Sequence, residues 1–473
     1  TALTTSVAIL ARGPHRPAIV FAQRPINRGN ILRARTMVHV GIIGAGISGL
    51  VCGTRLSALL RVADVPLKVT VFEWGRGPGG RTARRRVQVD GVGEVSFDHA
   101  APFFTAATDR FLQELLVPWE ERGLVARWVV PPASGWSSAQ LWVGQPSNHA
   151  VCQGLAADLG AAGNGHAYGR HVTSAKFVDG SWRVTATNRL AKPPVEESWE
   201  LDAVVLSDKL LVTPNIYAVL SSEDLGALAI GSSVGGTSDS PPAVAESDGH
   251  RLAGSTPRSH GTVVLMLAFA GPAAAAVRAA FGRRAVLRGD ELRAAVGSTC
   301  DLELIVRDSA KPGRSGAAGG ANGSSEPEVE LFVTHSTASF AAAHLVEDAG
   351  SGPALDDTKA VQDHLCNQFF AAATTPGTSL PEPSFISTMT WDHAGVSPTE
   401  RLPGTHRLDA PRRAGLCGDF FGGFGQWQSD STSVVGGVEA AALSGLSVAD
   451  ELAEVLIRWH AKQQDAHEEC SSL

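Results

Sequence analysis

Apolar residues in this chain fall into short blocks of strand or helix length, separated by glycine-rich turns. Val38-His39-Val40-Gly41-Ile42-Ile43 is a strand-length run that ends in Gly44-Ala45-Gly46-Ile47-Ser48-Gly49, and a second run, Val69-Thr70-Val71-Phe72, stops at Glu73. With the helical stretch between them they predict a βαβ unit. Leu112 to Gly123 has helical spacing, and Asn148 to Gly160 reads as a helix capped by Ser147 or Asn148. Val172–Phe177 and Trp182–Thr187 alternate around Asp179-Gly180, a hairpin signal. Asp202 to Leu206 is a nearly unbroken apolar run, as a buried parallel strand requires. Further strands are predicted at Val263–Ala270, Leu302–Arg307 and Val329–Thr334, and a loop or short helix from His335 to His344. Helices follow at Asp356–Ala373, with Val361, Leu365 and Phe369 on one face, and at the C-terminal end, with Val438, Ala441, Ala442, Gly445 and Val448 on one face. The longest apolar stretch, Thr262 to Ala280, is interrupted by Gly271-Pro272 and predicts a strand and a helix start rather than a membrane span.

The first turn carries chemistry. Gly44 permits a tight turn, Gly46 lets the backbone approach a pyrophosphate, and Gly49 lets helix and strand pack closely. Ile47 and Ser48 open a helix whose free N–H groups face the phosphates, where the dipole favours negative charge. Glu73 lies 24 residues past Gly49, near the roughly 20 expected of the carboxylate that grips a ribose hydroxyl. A second glycine cluster, Gly75-Arg76-Gly77-Pro78-Gly79-Gly80-Arg81, suits another close approach to the same ligand, with Arg76 or Arg81 offsetting phosphate charge.

These segments, followed by Val95-Ser96-Phe97-Asp98-His99-Ala100-Ala101-Pro102-Phe103-Phe104-Thr105, resemble the renalase-like FAD-dependent oxidoreductases, relatives of the flavin amine oxidases in the two-dinucleotide-binding-domain superfamily. The resemblance continues, in pieces, through Leu141–Gly144, Leu201–Leu206, Gly415–Asp419 and Gly437–Ala441. It implies an α/β fold: a Rossmann-type FAD-binding domain interleaved with an α+β substrate domain built on a mixed or antiparallel sheet. The expected FAD-binding domain comprises residues 38–98 with about 165–215 and 410–456, and the substrate domain about 99–164 and 261–409. The resemblance further implies that Val172 bonds the adenine through its backbone, that Asp419 bonds the ribityl chain, and that the helix opening near Val438 points at the pyrimidine side of the flavin, where reduction leaves negative charge. His99 is a candidate for bonding flavin or substrate. Phe103, Trp391 and Trp427 are candidates for lining an apolar pocket. Two departures bear on specificity: Pro102-Phe103 stands where close relatives carry Gln-Tyr, and Gly437 where they carry Arg.

Composition refines this picture. The chain has 473 residues, 44% hydrophobic and 18% charged, with a formal charge of −7; that is enough for two or three folding units and argues against a general nucleic-acid partner. No acidic residue precedes Asp64, whereas Arg12, Arg16, Arg24, Arg28, Arg33 and Arg35 lie within residues 1–36. An acid-poor, arginine-rich leader of this kind predicts a disordered organelle transit peptide, plastid in preference to mitochondrial, with Met37 as the start of a shorter cytoplasmic form. Residues 221–260 and 311–327, rich in Ser, Gly, Pro and Ala, predict mobile insertions. The six cysteines show no paired or metal-ligating spacing. The resemblance implies an FAD enzyme that takes a hydride from a nitrogen-bearing small molecule, with oxygen, a quinone or a nicotinamide as electron acceptor. A flavoenzyme on a lipophilic isoprenoid or porphyrinogen and a non-catalytic FAD scaffold or redox sensor are the alternatives, and no residue stands out as a general base.

Overall fold

The computed structural model describes residues 4–11, 18–25, 37–130, 141–212, 219–220, 228, 259–314, 329–348, 352–374, 379–396, 401–423 and 437–471. Its organising element is a six-stranded sheet. The strand order is Gly165–Tyr168, Leu67–Glu73, Val38–Ile43, Ala203–Leu206, Ala414–Leu416 and Arg407–Asp409. The first five strands run parallel, and only the edge pair Arg407–Asp409 with Ala414–Leu416 is antiparallel. Both faces are covered, which is why the central strands read as continuous apolar runs. On one face, helices Ile47–Val62 and Gly437–Ser471 pack with Val40, Ile42, Val69 and Val71. On the other, the three-stranded antiparallel sheet Arg170–Val178, Ser181–Asn188 and Val195–Leu201 packs through Val172, Trp182 and Val184. Asp179 and Gly180, both at positive φ (51° and 81°), make the predicted hairpin turn.

The second sheet has five antiparallel strands in the order Val286–Arg288, Leu302–Arg307, Val329–Ser336, Ser259–Ala270 and Phe385–Val396. Alternate residues of its longest apolar strand serve different cores. Val263, Leu265, Leu267 and Phe269 face helices Pro272–Phe281 and Thr358–Ala373. Val264, Met266 and Ala268 face the hairpin of Arg85–Val89 and Gly93–Phe97. The α/β class, the parallel sheet and the separate antiparallel sheet are those expected. The strand Phe385–Val396 was not, because its larger apolar residues Phe385, Ile386, Met389 and Trp391 are spaced among Ser387, Thr388 and Thr390.

Three expectations change. Residues Thr4–Ala11 and Ala18–Pro25 pair as antiparallel strands inside the segment expected to be a disordered leader. The segment expected to be mobile from 311 is anchored at its start: Lys311 is buried and pairs with Asp98 and Asp308, and Arg314 reaches the same carboxylates. Its remainder, and nearly all of 221–258, lie outside the described residues. Asn148 precedes helix His149–Ala161 without capping it by side chain; its amide instead accepts from Gly144 N and donates to the Ala101 carbonyl. Among the described residues no helix is long and apolar enough to cross a membrane.

Candidate functional site

A cleft of about 680 Å³ opens at the carboxyl end of the parallel strands, the position where open α/β sheets receive ligands. The first turn forms its floor. Gly44 has φ +109°, and a Cβ there would lie 2.2 Å from Ser207 Oγ, so only glycine fits on both counts. A Cβ on Gly49 would lie 2.1 Å from the Gly44 carbonyl, which places Gly49 in the strand–helix contact rather than in the cleft wall. Gly46 differs: it lines the cleft, and a Cβ there would meet no atom within 4 Å. Helix Ile47–Val62 starts here with neither a side-chain cap nor an acidic residue in its first turn, which leaves its positive end to a ligand. Ile47 lines the cleft, and Ser48, which also lines it, donates to the Ser207 carbonyl at 3.2 Å.

Glu73 stands beside this turn. Its carboxylate accepts from Ala45 N at 2.9 Å and from Gly75 N at 2.7 Å. It thereby joins the first glycine turn to the second cluster. Gly79 N donates to the Ala45 carbonyl at 2.8 Å, and a Cβ on Gly80 would sit 3.4 Å from Gly46 Cα. The two glycine segments therefore lie against one another in the cleft wall. Arg81 then makes a two-pronged ion pair with Asp419, at 2.6 and 2.9 Å, and donates to the Ala394 carbonyl at 3.3 Å. Burial works against the Asp419 charge, but Arg81, Arg401 and Lys209 outweigh it and hold the carboxyl below its ordinary value. Gly437 abuts this pair: its Cβ would lie 3.3 Å from Asp419 Oδ2. Larger side chains at 437 would crowd the carboxylate, a local reason for glycine there. Gly437, Val438 and Ala441 bring the start of the long C-terminal helix into the cleft wall.

Val172 also lines the cleft, next to a register shift in its strand between Val172 and Ser174. Beside it, Trp74 stacks on His171 with ring centroids 4.8 Å apart, and the Arg189 guanidinium lies 4.9 Å from the Trp74 centroid. Trp391 reaches the cleft from the antiparallel sheet, together with Thr262, Asp392 and Ala394. His99 is buried behind Ala100 and Ala101, which do line the cleft. Burial, with the charge of Arg85, pushes its pKa down to about 4 against a Phe97 backbone hydrogen bond and Asp308. Phe103 is not in the cleft: it is fully buried against Trp128, Leu141 and Val306. Trp427 lies outside the described residues.

The structure thus brings Gly44, Gly46, Ile47, Ser48, Glu73, Gly79, Gly80, Arg81, Val172, Trp391, Asp419 and Val438 to one cleft, and leaves Gly49, His99 and Phe103 outside its wall. Sequence reasoning missed Trp74, His171, Ser207, Asp208 and Asp392, which also line it. Ser207 and Asp208 directly follow a parallel strand, and that position was a usable signal.

Comparison with known proteins follows this geometry. Residues 42–116 match the model of the NAD(P)-binding Rossmann-like domain family. No curated protein matches the sequence. Similar solved structures include an oxidoreductase from Methanosarcina mazei (13% identity, TM-score 0.47, covering 87% of this chain and 100% of that one). A protein from Pyrococcus furiosus aligns at 11% identity and TM-score 0.46, over 88% and 97% of the two chains. A flavoprotein/dehydrogenase from Cytophaga hutchinsonii aligns at 14% and 0.39, over 89% and 79%. The glycine turn, the helix behind it and Glu73 all lie within the segment that matches the NAD(P)-binding Rossmann-like domain family.

Proposed function

We propose that the cleft holds FAD and that the protein is an oxidoreductase of renalase or amine-oxidase type, acting on an amine or a dihydronicotinamide. One observation carries the reading. A single cleft is lined by Glu73, Val172, residues of both glycine segments, Asp419 and the first turn of the C-terminal helix. A ligand spanning it needs an adenosine at one end, a diphosphate in the middle and a second ring system at the other, and a ring system at the far end suits a flavin.

FAD held there would supply a two-electron acceptor for a hydride from a carbon beside nitrogen, with oxygen, a quinone or a nicotinamide as the onward acceptor. The chain's own residues position and polarise. Gly46 and Gly80 give the diphosphate main-chain surface without side chains, and Ile47 N–H and its neighbours face it. Arg81, already oriented by Asp419, lends positive charge without reorganising. Gly437 and Val438, at the start of helix Gly437–Ser471, line the cleft, and the positive end of that helix would stabilise negative charge gained by a ring bound there. Thr262, Trp391 and Asp392, from the antiparallel sheet, form the wall on the substrate side. No proton acceptor is required of the protein when the donor's nitrogen lone pair drives hydride loss.

Anaerobic mixing tests this. Bleaching of the flavin absorbance by dihydronicotinamide isomers or small amines supports it. Bleaching only by isoprenoids or porphyrinogens would move the substrate class, and no bleaching by any donor would leave a binding protein.

A further inference from the structure

The strand Phe385–Val396 leaves its ladder where it meets the cleft. Thr262 pairs with Trp391 and His260 with Gly395, so one residue, Gly261, faces three: Asp392, His393 and Ala394. A Cβ on Gly261 would lie 2.6 Å from Leu345 Cδ1 and 2.9 Å from the Trp391 carbonyl, so the bulge needs a glycine opposite it. Bulges re-aim side chains beside functional sites. This one brings Asp392 and Ala394, with Trp391, into the cleft wall. The Asp392 side chain is 39% exposed, so a ligand in the cleft can reach it.

His393 stands beside this carboxylate. Its Nδ1 lies 2.5 Å from Ser259 Oγ, and its Nε2 lies 3.7 Å from Asp392 Oδ2. The first is a hydrogen bond, and the second is too long to be one. With the ring proton on Nδ1 and donated to Ser259, Nε2 keeps its lone pair and turns it towards Asp392. Two unprotonated atoms facing each other account for the gap. Four charged groups bear on this ring: Asp392 from its own strand, Asp208 and Lys209 from the segment after strand Ala203–Leu206, and Arg81 from the second glycine cluster. Burial, with Lys209 and Arg81, outweighs the two carboxylates and holds His393 below its ordinary value. The ring is therefore neutral at physiological pH, as a proton acceptor must be.

An alkylamine enters the cleft as an ammonium ion, and its nitrogen has no lone pair to drive hydride loss until a proton leaves. We infer that Asp392 and His393 together take that proton: the carboxylate anchors the ammonium in the cleft and passes its proton on to His393 Nε2. One N–H bond of the substrate breaks and one forms on the imidazole; the positive charge moves with the proton, and the nitrogen keeps the electron pair. This rests on the flavoenzyme reading above and deepens it, because the device serves amines alone. An N-alkylated dihydronicotinamide has its ring lone pair free already.

His393→Gln and Asp392→Asn test the inference, with thermal melting to confirm that each folds. The rate of anaerobic flavin reduction is followed against pH with benzylamine and with 1-methyl-1,4-dihydronicotinamide. Wild-type reduction by benzylamine should fall only below pH 6.5, the ordinary histidine value. In His393→Gln it should be about a hundredfold slower at neutral pH, with its acid limb moved up towards the alkaline pKa of the amine itself, while reduction by the dihydronicotinamide is unchanged. Binding gives a second readout. Asp392→Asn should bind 2-phenylpropan-2-amine, which has no hydrogen on the carbon beside nitrogen, about tenfold more weakly and its alcohol analogue as the wild type does. An unmoved pH profile in His393→Gln, equal slowing with both donors, or a wild-type flavin that no amine reduces would overturn the inference. Wild-type protein that binds no flavin would sink the flavoenzyme reading instead, and the amine–alcohol comparison on that protein still judges the Asp392 anchor.

Discussion

At the scale of single residues, the account turns on positions where a side chain is forbidden and positions where it is only unwanted. Gly44 and Gly49 belong to the first group, because a Cβ would strike Ser207 Oγ or the Gly44 carbonyl. Gly46 belongs to the second: nothing in the protein opposes a Cβ there. Gly46→Val is therefore expected to fold with nearly wild-type stability and yet retain no dinucleotide, since its side chain would fill the diphosphate path. Gel filtration with absorbance of the bound ligand, alongside a thermal melt, separates the two effects. This much was legible in the sequence, because the turn is local and its spacing is fixed by backbone geometry. The partnership of Arg81 with Asp419 was not, as it joins residues 338 positions apart. Phe103 was misplaced for the same reason: its aromatic character is readable, but whether it faces a cleft or a core is decided by Trp128 and Leu141, which arrive from elsewhere in the chain.

At the scale of elements, one close contact is the crossing of helices Ile47–Val62 and Gly437–Ser471. A Cβ on Gly445 would lie 2.3 Å from the Ser48 carbonyl and 3.2 Å from Cys52 N, so the two backbones nearly touch. Gly445→Leu should force them apart, at a cost of about 1–3 kcal/mol, and loosen the ligand with it because Ser48 lines the cleft. A chemical denaturation midpoint and a flavin affinity measured on the same variant check both consequences. Here the sequence showed the helix and its small-residue face, but not which helix it met. The strand Phe385–Val396 escaped notice because its alternation of Phe385, Met389 and Trp391 is diluted by Ser387, Thr388 and Thr390. Yet this strand carries a wall of the cleft.

At the scale of the whole molecule, the dinucleotide half and the antiparallel half are tied by a buried charge cluster. Asp98 follows the hairpin strand Gly93–Phe97, and it meets Lys311 at 3.1 Å and also Arg314. Asp308 shares Lys311. Lys311→Met would leave Asp308 buried without its closest cation, and a loss of about 3–5 kcal/mol is expected from equilibrium unfolding. Acid should act nearby. His99 and His335 are both held neutral, with pKa values pushed down to about 4, each chiefly by burial. The unfolded chain takes up these protons near 6.5, so their contribution is fully present above that pH. It is lost progressively as the pH falls from 6.5 towards 4. Urea midpoints across that range should drop, and drop less in His335→Gln. None of this was legible in the sequence, where Lys311 opened a segment read as a mobile insertion. The most direct measurement is native mass spectrometry of the purified protein followed by gentle denaturation. The account predicts one FAD per chain in the folded protein, released intact on unfolding. A folded chain whose mass shows no dinucleotide, even after incubation with excess FAD, would contradict it.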